Sequence, residues 1–344
     1  MQAPLLMMMV AVLGLDVPLA QADDLKWGAK LSQAQQFYGN RQFSEAILAA
    51  EEALHMAEKQ VGREAPELID ILSFLGTLYS TKASFDEKPS GNRRAIAYLR
   101  REQGILRKQS GPVAKQRLVA SLFGLGQACQ TVHDLSCATD SYEQAVAAAE
   151  PLEPNPENPD VDGLRILARL WGERKDFAKA ETLMHRYIAI RERTPRRLQR
   201  HLEMDYEFAA QDFVNWHDDA EAEKLYGAAI REARSQEGAG RDPNFAFLLG
   251  RAATFFISLT RYGQAQSLLD EALLVLQSAG EVDGSAQIYA NKATICKLLG
   301  DRPGAMAFLN RANQALKAAP TGVVIEPYTF EHLPTKPSLA RHGI

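Results

Sequence analysis

The sequence is short of the features that usually mark a catalytic site or a charged ligand. Its 344 residues include 3 cysteines, an odd number and too few for a disulfide framework. Cys129 and Cys137 could pair across one helix–helix turn, or both could be small apolar fillers. Cys137 falls one residue off the inward face, which favours fillers. With 39 Lys+Arg against 43 Asp+Glu there is no global excess of one sign, so nucleic acid is not an expected partner. No His-Glu-x-x-His, Gly-x-Ser-x-Gly, Ser-x-x-Lys or phosphate loop occurs, so no catalytic residue, metal ligand or cofactor site is expected.

Long apolar runs are also missing, with one exception. Pro4 to Leu15 is apolar, Ala20-Gln21-Ala22 is a small-x-small cleavage site, and Asp23-Asp24 would open the mature chain. Residues 1–22 thus have the layout of a secretory signal peptide, although no Lys or Arg precedes the run. The run is shorter than the ~20 residues a bilayer span needs, so the mature chain is expected to hold no stable membrane span. No cysteine marks a lipid-anchor site and no Asn-x-Ser/Thr sequon occurs. The expectation is export, to a bacterial periplasm or outside the cell.

What is present is a repeat. A small residue is followed twelve positions later by alanine in Ala34/Ala46, Gly126/Ala138, Ala168/Ala180, Ala210/Ala222, Ala253/Ala265 and Ala293/Ala305. Gly76/Ala95 is a seventh pair, lengthened by seven residues. The second alanines are 49, 43, 42, 42, 43 and 40 residues apart. A period near 42 argues for stacked helix pairs over a single globular core. Leu118, Leu122, Leu125 and Cys129 keep helical spacing, His133-Asp134 interrupts it, and Ala138, Tyr142 and Ala145 resume it. So short a break folds two helices antiparallel. Prolines 66, 112, 159 and 243 stand near the starts of first helices, where a missing N–H costs little.

The pattern resembles the tetratricopeptide repeat (TPR). Leu125-Gly126, Cys129, Asp134-Leu135, Ala138, Tyr142 and Ala145 match its motif, as do Phe213, Ala222, Tyr226 and Ala229. The longer period looks like the kinesin light chain subtype. The resemblance covers about 27 to 318 and implies an all-α, right-handed superhelical solenoid of about seven antiparallel helix pairs over 23–319. The second repeat departs most, with an insertion at 85–92 and Glu102 where alanine is usual; the fourth carries Tyr187 at that position. These two repeats are expected to be distorted.

In such an array the first helices line the concave side. The residues just after the small positions, Gln35, Thr77, Gln127, Arg169, Gln211, Thr254 and Thr294, can all hydrogen-bond and none is aliphatic or acidic. They read either as ordinary solvent-facing polar positions or as a ladder for the backbone of an extended peptide. The resemblance favours the ladder. Ser73, Phe123, Arg165, Glu207 and Asn291 lie one turn earlier, and Phe123 and Phe247 would supply apolar anchor pockets. The expected function is an exported scaffold holding a protein or peptide partner in this groove, with no enzyme activity. Two alternatives are a helical accessory or hydrolase domain using Arg165, Arg169 and Glu207, and an envelope protein that self-associates as a homo-oligomer.

Three further segments carry weaker signals. Asn158, Asp160, Asp162 and Gly163 resemble half a calcium loop, but Arg169 stands where the bidentate Glu belongs. Arg191, Arg193, Arg196, Arg197 and Arg200 read as a solvated connection. The tail, 320–344, has four prolines and no helical period. It reads as an end without fixed structure, or as an extended segment that docks in its own groove or caps the last pair.

Overall fold

The computed structural model describes residues 27–85, 90–149, 160–194, 201–281, 284–318 and 327–337. The signal-peptide reading at 1–22 lies outside them, as do Asn158, Arg196, Arg197 and Arg200. The described residues form fourteen α-helices in seven antiparallel pairs, joined by turns and two short 3-10 segments. The chain divides into two units, Met1–Thr194 and Pro195–Ile344.

The first unit holds four pairs: α1 (Gly28–Gly39) with α2 (Phe43–Val61), α3 (Ile69–Phe85) with α4 (Ser90–Leu106), α5 (Pro112–Thr131) with α6 (Leu135–Ala149), and α7 (Asp160–Glu173) with α8 (Phe177–Arg193). The second holds three: α9 (Leu202–Asn215) with α10 (Asp219–Ser235), α11 (Pro243–Ser258) with α12 (Tyr262–Ala279), and α13 (Ser285–Leu298) with α14 (Arg302–Ala318). Within each unit the first helix of a pair also packs on the second helix of the pair before it.

The small positions explain the pairing. All twelve alanines of the repeat, from Ala34 and Ala46 to Ala293 and Ala305, have 0% exposure. A Cβ added to Gly76 would lie 2.8 Å from Leu99, and one added to Gly126 would lie 2.8 Å from Tyr142. The backbones approach too closely for anything larger, and Tyr142, Phe213 and Tyr226 fill the space beside the crossings. Tyr187 is likewise fully buried, so the fourth repeat absorbs its large residue within the pair.

The turns inside pairs share one geometry. Arg41, His133, Lys175, His217 and Thr260, each five residues before the second alanine, take φ of 59°, 60°, 64°, 64° and 63°, and Gly300 takes 78°. The following N–H reaches back five residues, as in Asp134 N–H to Cys129 O at 2.9 Å and Asp301 N–H to Cys296 O at 2.8 Å. This is a left-handed helix end that satisfies the last carbonyls of the first helix. Side-chain caps open the second helices: Asp134 accepts from Cys137 N–H, Asp218 from Glu221 N–H and Asp301 from Gly304 N–H, at 2.9–3.0 Å.

The same turn corrects the cysteine reading. Cys129 and Cys137 form a disulfide, with Cα atoms 5.7 Å apart. The turn folds the start of α6 back along the end of α5, so a residue on the flank of the inward face still comes within bridging distance. Cys296 is a free, half-buried thiol.

The tail segment 327–337 packs on the last pair. Leu333 is 2% exposed and joins Ala293 and Leu309 in a small core flanked by Phe308, Tyr328 and Phe330. The Tyr328 backbone exchanges two hydrogen bonds with the Asn313 amide, at 2.8 and 2.9 Å. Lys297 Nζ donates to the carbonyls of Phe330 and Leu333 at 2.6 and 2.7 Å. The segment meets both α13 and α14, as a following first helix would.

Candidate interaction surfaces

In the second unit, successive first helices are joined by side chains that the repeat puts in register. Glu207 on α9 is buried and takes Arg251 of α11 with both oxygens, Nη2 to Oε2 being 2.8 Å. Asn291 on α13 is 3% exposed and donates its amide to Thr254 Oγ1 at 3.1 Å. The Thr254 hydroxyl donates in turn to Gly250 O at 3.0 Å. Gln287 accepts from the Tyr328 hydroxyl at 2.9 Å, carrying the same connection into the tail. Gln211 accepts from Tyr226 at 3.4 Å. Thr294 is 1% exposed, and its hydroxyl donates to Ala290 O within its own helix.

Around these links the first helices carry exposed apolar side chains. Met204 and Phe208, one turn apart on α9, are each 41% exposed, and Phe247 on α11 is 36% exposed. Arg251 keeps about half of its side chain in solvent while its carboxylate partner is covered. The face is therefore apolar, with one cation held in place by a buried carboxylate. Exposed aromatic and Met side chains beside an anchored Arg are the composition of a protein-contact surface.

The first unit treats its positions differently. Phe123 is 2% exposed, wedged against Tyr142, and its ring lies where a Cβ on Gly163 would be. Gln35 and Gln127 are partly exposed, and Arg169 is exposed. Thr77 bonds back to Ser73 O at 3.1 Å. Arg165 is partly exposed on α7. Of the positions after the small residues, Gln35, Gln127 and Arg169 are at least partly exposed, Thr254 connects α11 to α13, and Thr77, Gln211 and Thr294 bond within their own helix or pair.

Sequence reasoning flagged Glu102 only as a departure from the motif. The structure buries it to 3% exposure between α4, α5 and α3, where the Ser121 hydroxyl donates to Oε2 at 2.7 Å. Burial pushes its carboxyl up to about 7, a cost that the hydroxyls of Ser121 and Ser73 and the charge of Arg117 only partly offset. Arg117 is itself paired with Asp70. The signal was a charged residue at an otherwise apolar repeat position.

No helix among the described residues is long and apolar enough to cross a membrane. No protein-family model matches the sequence, and no curated protein does. Solved structures do resemble the fold. RapI in its apo form is 12% identical, covers 86% of this chain and 100% of its own, and gives a TM-score of 0.52. BtubC (BKLC) from P. vanneervenii is 20% identical over 69% of this chain and 95% of its own, with a TM-score of 0.50. A kinesin light chain-like protein of nearly identical TPR-like repeats from Podosopora anserina is 17% identical over 62% and 98%, also with a TM-score of 0.50. Taken with the seven pairs, these likenesses make the fold a TPR-like array of antiparallel helix pairs.

Proposed function

We propose that the protein is an interaction scaffold that holds an extended or helical segment of a protein partner against its first helices. One observation carries this reading: in the second unit Met204, Phe208 and Phe247 stay exposed around Arg251, whose carboxylate partner is buried. Leaving apolar side chains in water is unfavourable unless a partner covers them. The 42-residue period supports placing the repeats in the kinesin light chain-like subtype. Export is part of the proposal, supported by the layout of residues 1–22 and compatible with a disulfide at Cys129 and Cys137. Glu207, the carboxylate a hydrolase reading would need, has both oxygens engaged by Arg251.

The test is affinity capture from a native envelope extract with residues 23–344. Two variants run beside wild type, Phe208→Ala with Phe247→Ala in the second unit and Gln127→Ala with Arg169→Ala in the first. Far-UV circular dichroism confirms that both remain helical. A partner held by wild type and lost by the first variant supports the proposed face, and loss with the second alone moves the site to the first unit. The same partners on all three proteins overturn the proposal.

A further inference from the structure

The first unit contains a cleft of about 420 Å³ between α4 and α6, closed beneath by α5. Arg100 and Arg107 line one wall, Asp140 and Gln144 the other, and Leu122 of α5 forms part of the floor. The volume falls in the range of small-ligand sites.

Four arginines on or just after α4 separate into two groups. Arg94 bonds to the Tyr79 hydroxyl at 2.6 Å and lies 3.8 Å from Glu51. Arg101 is paired with Glu58 and donates to Arg63 O at 2.6 Å. These two cations are neutralised by the preceding pair. Arg100 on α4 and Arg107 in the turn after it both line the cleft. Among the described residues Arg100 reaches the Cys137 sulfur, at 3.6 Å, and Arg107 the Gln144 side-chain oxygen, at 2.7 Å. Among the described residues neither has a carboxylate within ion-pair distance. Both are exposed, and the disulfide ties the α6 wall to α5.

We infer that this cleft is a second binding site, for a peptide segment carrying several carboxylates. Two planar guanidinium groups lining one cleft can each take one carboxylate in a forked contact. Holding Arg107 to Gln144 pre-orients its fork and leaves the Gln144 amide free to donate. Asp140, in the same cleft, opposes such a ligand and sets its affinity below what two arginines alone would give.

The experiment is fluorescence anisotropy of labelled hexaglutamate with the full mature chain, at low and high salt, with hexaglutamine as control. Wild type should bind hexaglutamate saturably and more weakly as salt rises, and should leave hexaglutamine unbound. Arg100→Gln with Arg107→Gln should weaken binding about tenfold or more, and Asp140→Asn should tighten it about threefold. A gain of affinity in Asp140→Asn is not something a misfolded protein would show. No saturable binding, equal binding of hexaglutamine, or an unchanged affinity in either variant overturns the inference. None of these outcomes bears on the first-helix face of the second unit.

Discussion

In the first unit, neighbouring pairs meet across a buried carboxyl and one pair is closed by a disulfide. In the second, the buried carboxylate between neighbouring pairs, Glu207, is met by a cation, Arg251, and the last pair is covered by a tail; both units add ion pairs at the rim. Arg234 of α10 grips Glu271 of α12 with two contacts of 2.9 Å, and Arg261 takes Glu223 at 2.8 Å. The difference lies in what meets the buried carboxyl. In the second unit the buried Glu207 has Arg251 on both oxygens, and the remaining ion pairs lie at the rim, where each is worth little. Where the second repeat replaces alanine by Glu102, a carboxyl enters the interior and must be met by hydroxyls and a distant cation.

The comparison is sharpest in its response to pH. The folded carboxyl of Glu102 sits at about 7 against an ordinary 4.5, so the folded chain holds that proton more tightly than the unfolded chain does. Its penalty is absent below the unfolded value, grows as pH rises through the window between the two, and is complete above about 7. Glu102→Gln keeps a partner for Ser121 and removes the charge. Between pH 5 and pH 8, wild type should lose about 2–3 kcal/mol of stability relative to the variant in chemical denaturation. Parallel curves for the two proteins would show that the carboxyl is solvated after all.

The second unit should respond instead to loss of its tail. Ending the chain after residue 318 exposes Ala293, Leu309 and their neighbours and should cost about 2–3 kcal/mol. Amide exchange should accelerate in α13 and α14 and stay unchanged in α1 to α4. Equal acceleration in both units would remove the distinction between them. Lys297→Ala is a smaller version of the same change: two tail carbonyls lose their donor, for about 1–2 kcal/mol in a thermal melt.

The within-pair turns are common to both units, and the expected effect there is a gain. Thr260 is β-branched at φ 63°, a conformation that only glycine adopts without strain, and Gly300 occupies the equivalent turn of the last pair. Thr260→Gly should stabilise by about 0.5–1 kcal/mol, and His133→Gly in the first unit by a similar amount. Arg234→Ala, which removes an exposed ion pair and a guanidinium contact with the Phe245 ring, should shift stability by less than about 1 kcal/mol. A larger loss would show that rim ion pairs, more than core packing, hold the second unit together.

Much of the fold was legible because it depends on short-range rules. The spacing of small residues twelve apart sets the helix crossing, and Asp218 announces its own cap. The turns were less legible. A break was visible at His133-Asp134, but nothing in the residue type of Arg41, Lys175 or Thr260 announces a left-handed conformation. The candidate site was legible in part. Register put Glu207 and Asn291 one turn before the small positions and Thr254 just after one, yet whether such a side chain meets water or the next helix depends on how far successive pairs are offset. Asn291 and Thr294 sit in the interior for that reason, while Phe247 stays partly exposed.

By itself, then, the sequence determined the number of helix pairs, the residues at their crossings and the polar character of the first-helix positions. These follow from local periodicity and side-chain size, which every repeat states again. Only the tertiary structure decided that Cys129 meets Cys137, that Glu102 is enclosed by α3, α4 and α5, and that 327–337 lies across the last pair. It also decided that Arg100 and Arg107 face a cleft while Arg94 and Arg101 are neutralised. Each of these contacts depends on the rotation and offset of one helix against another, which is set by packing over the whole interface and not by any short stretch of chain.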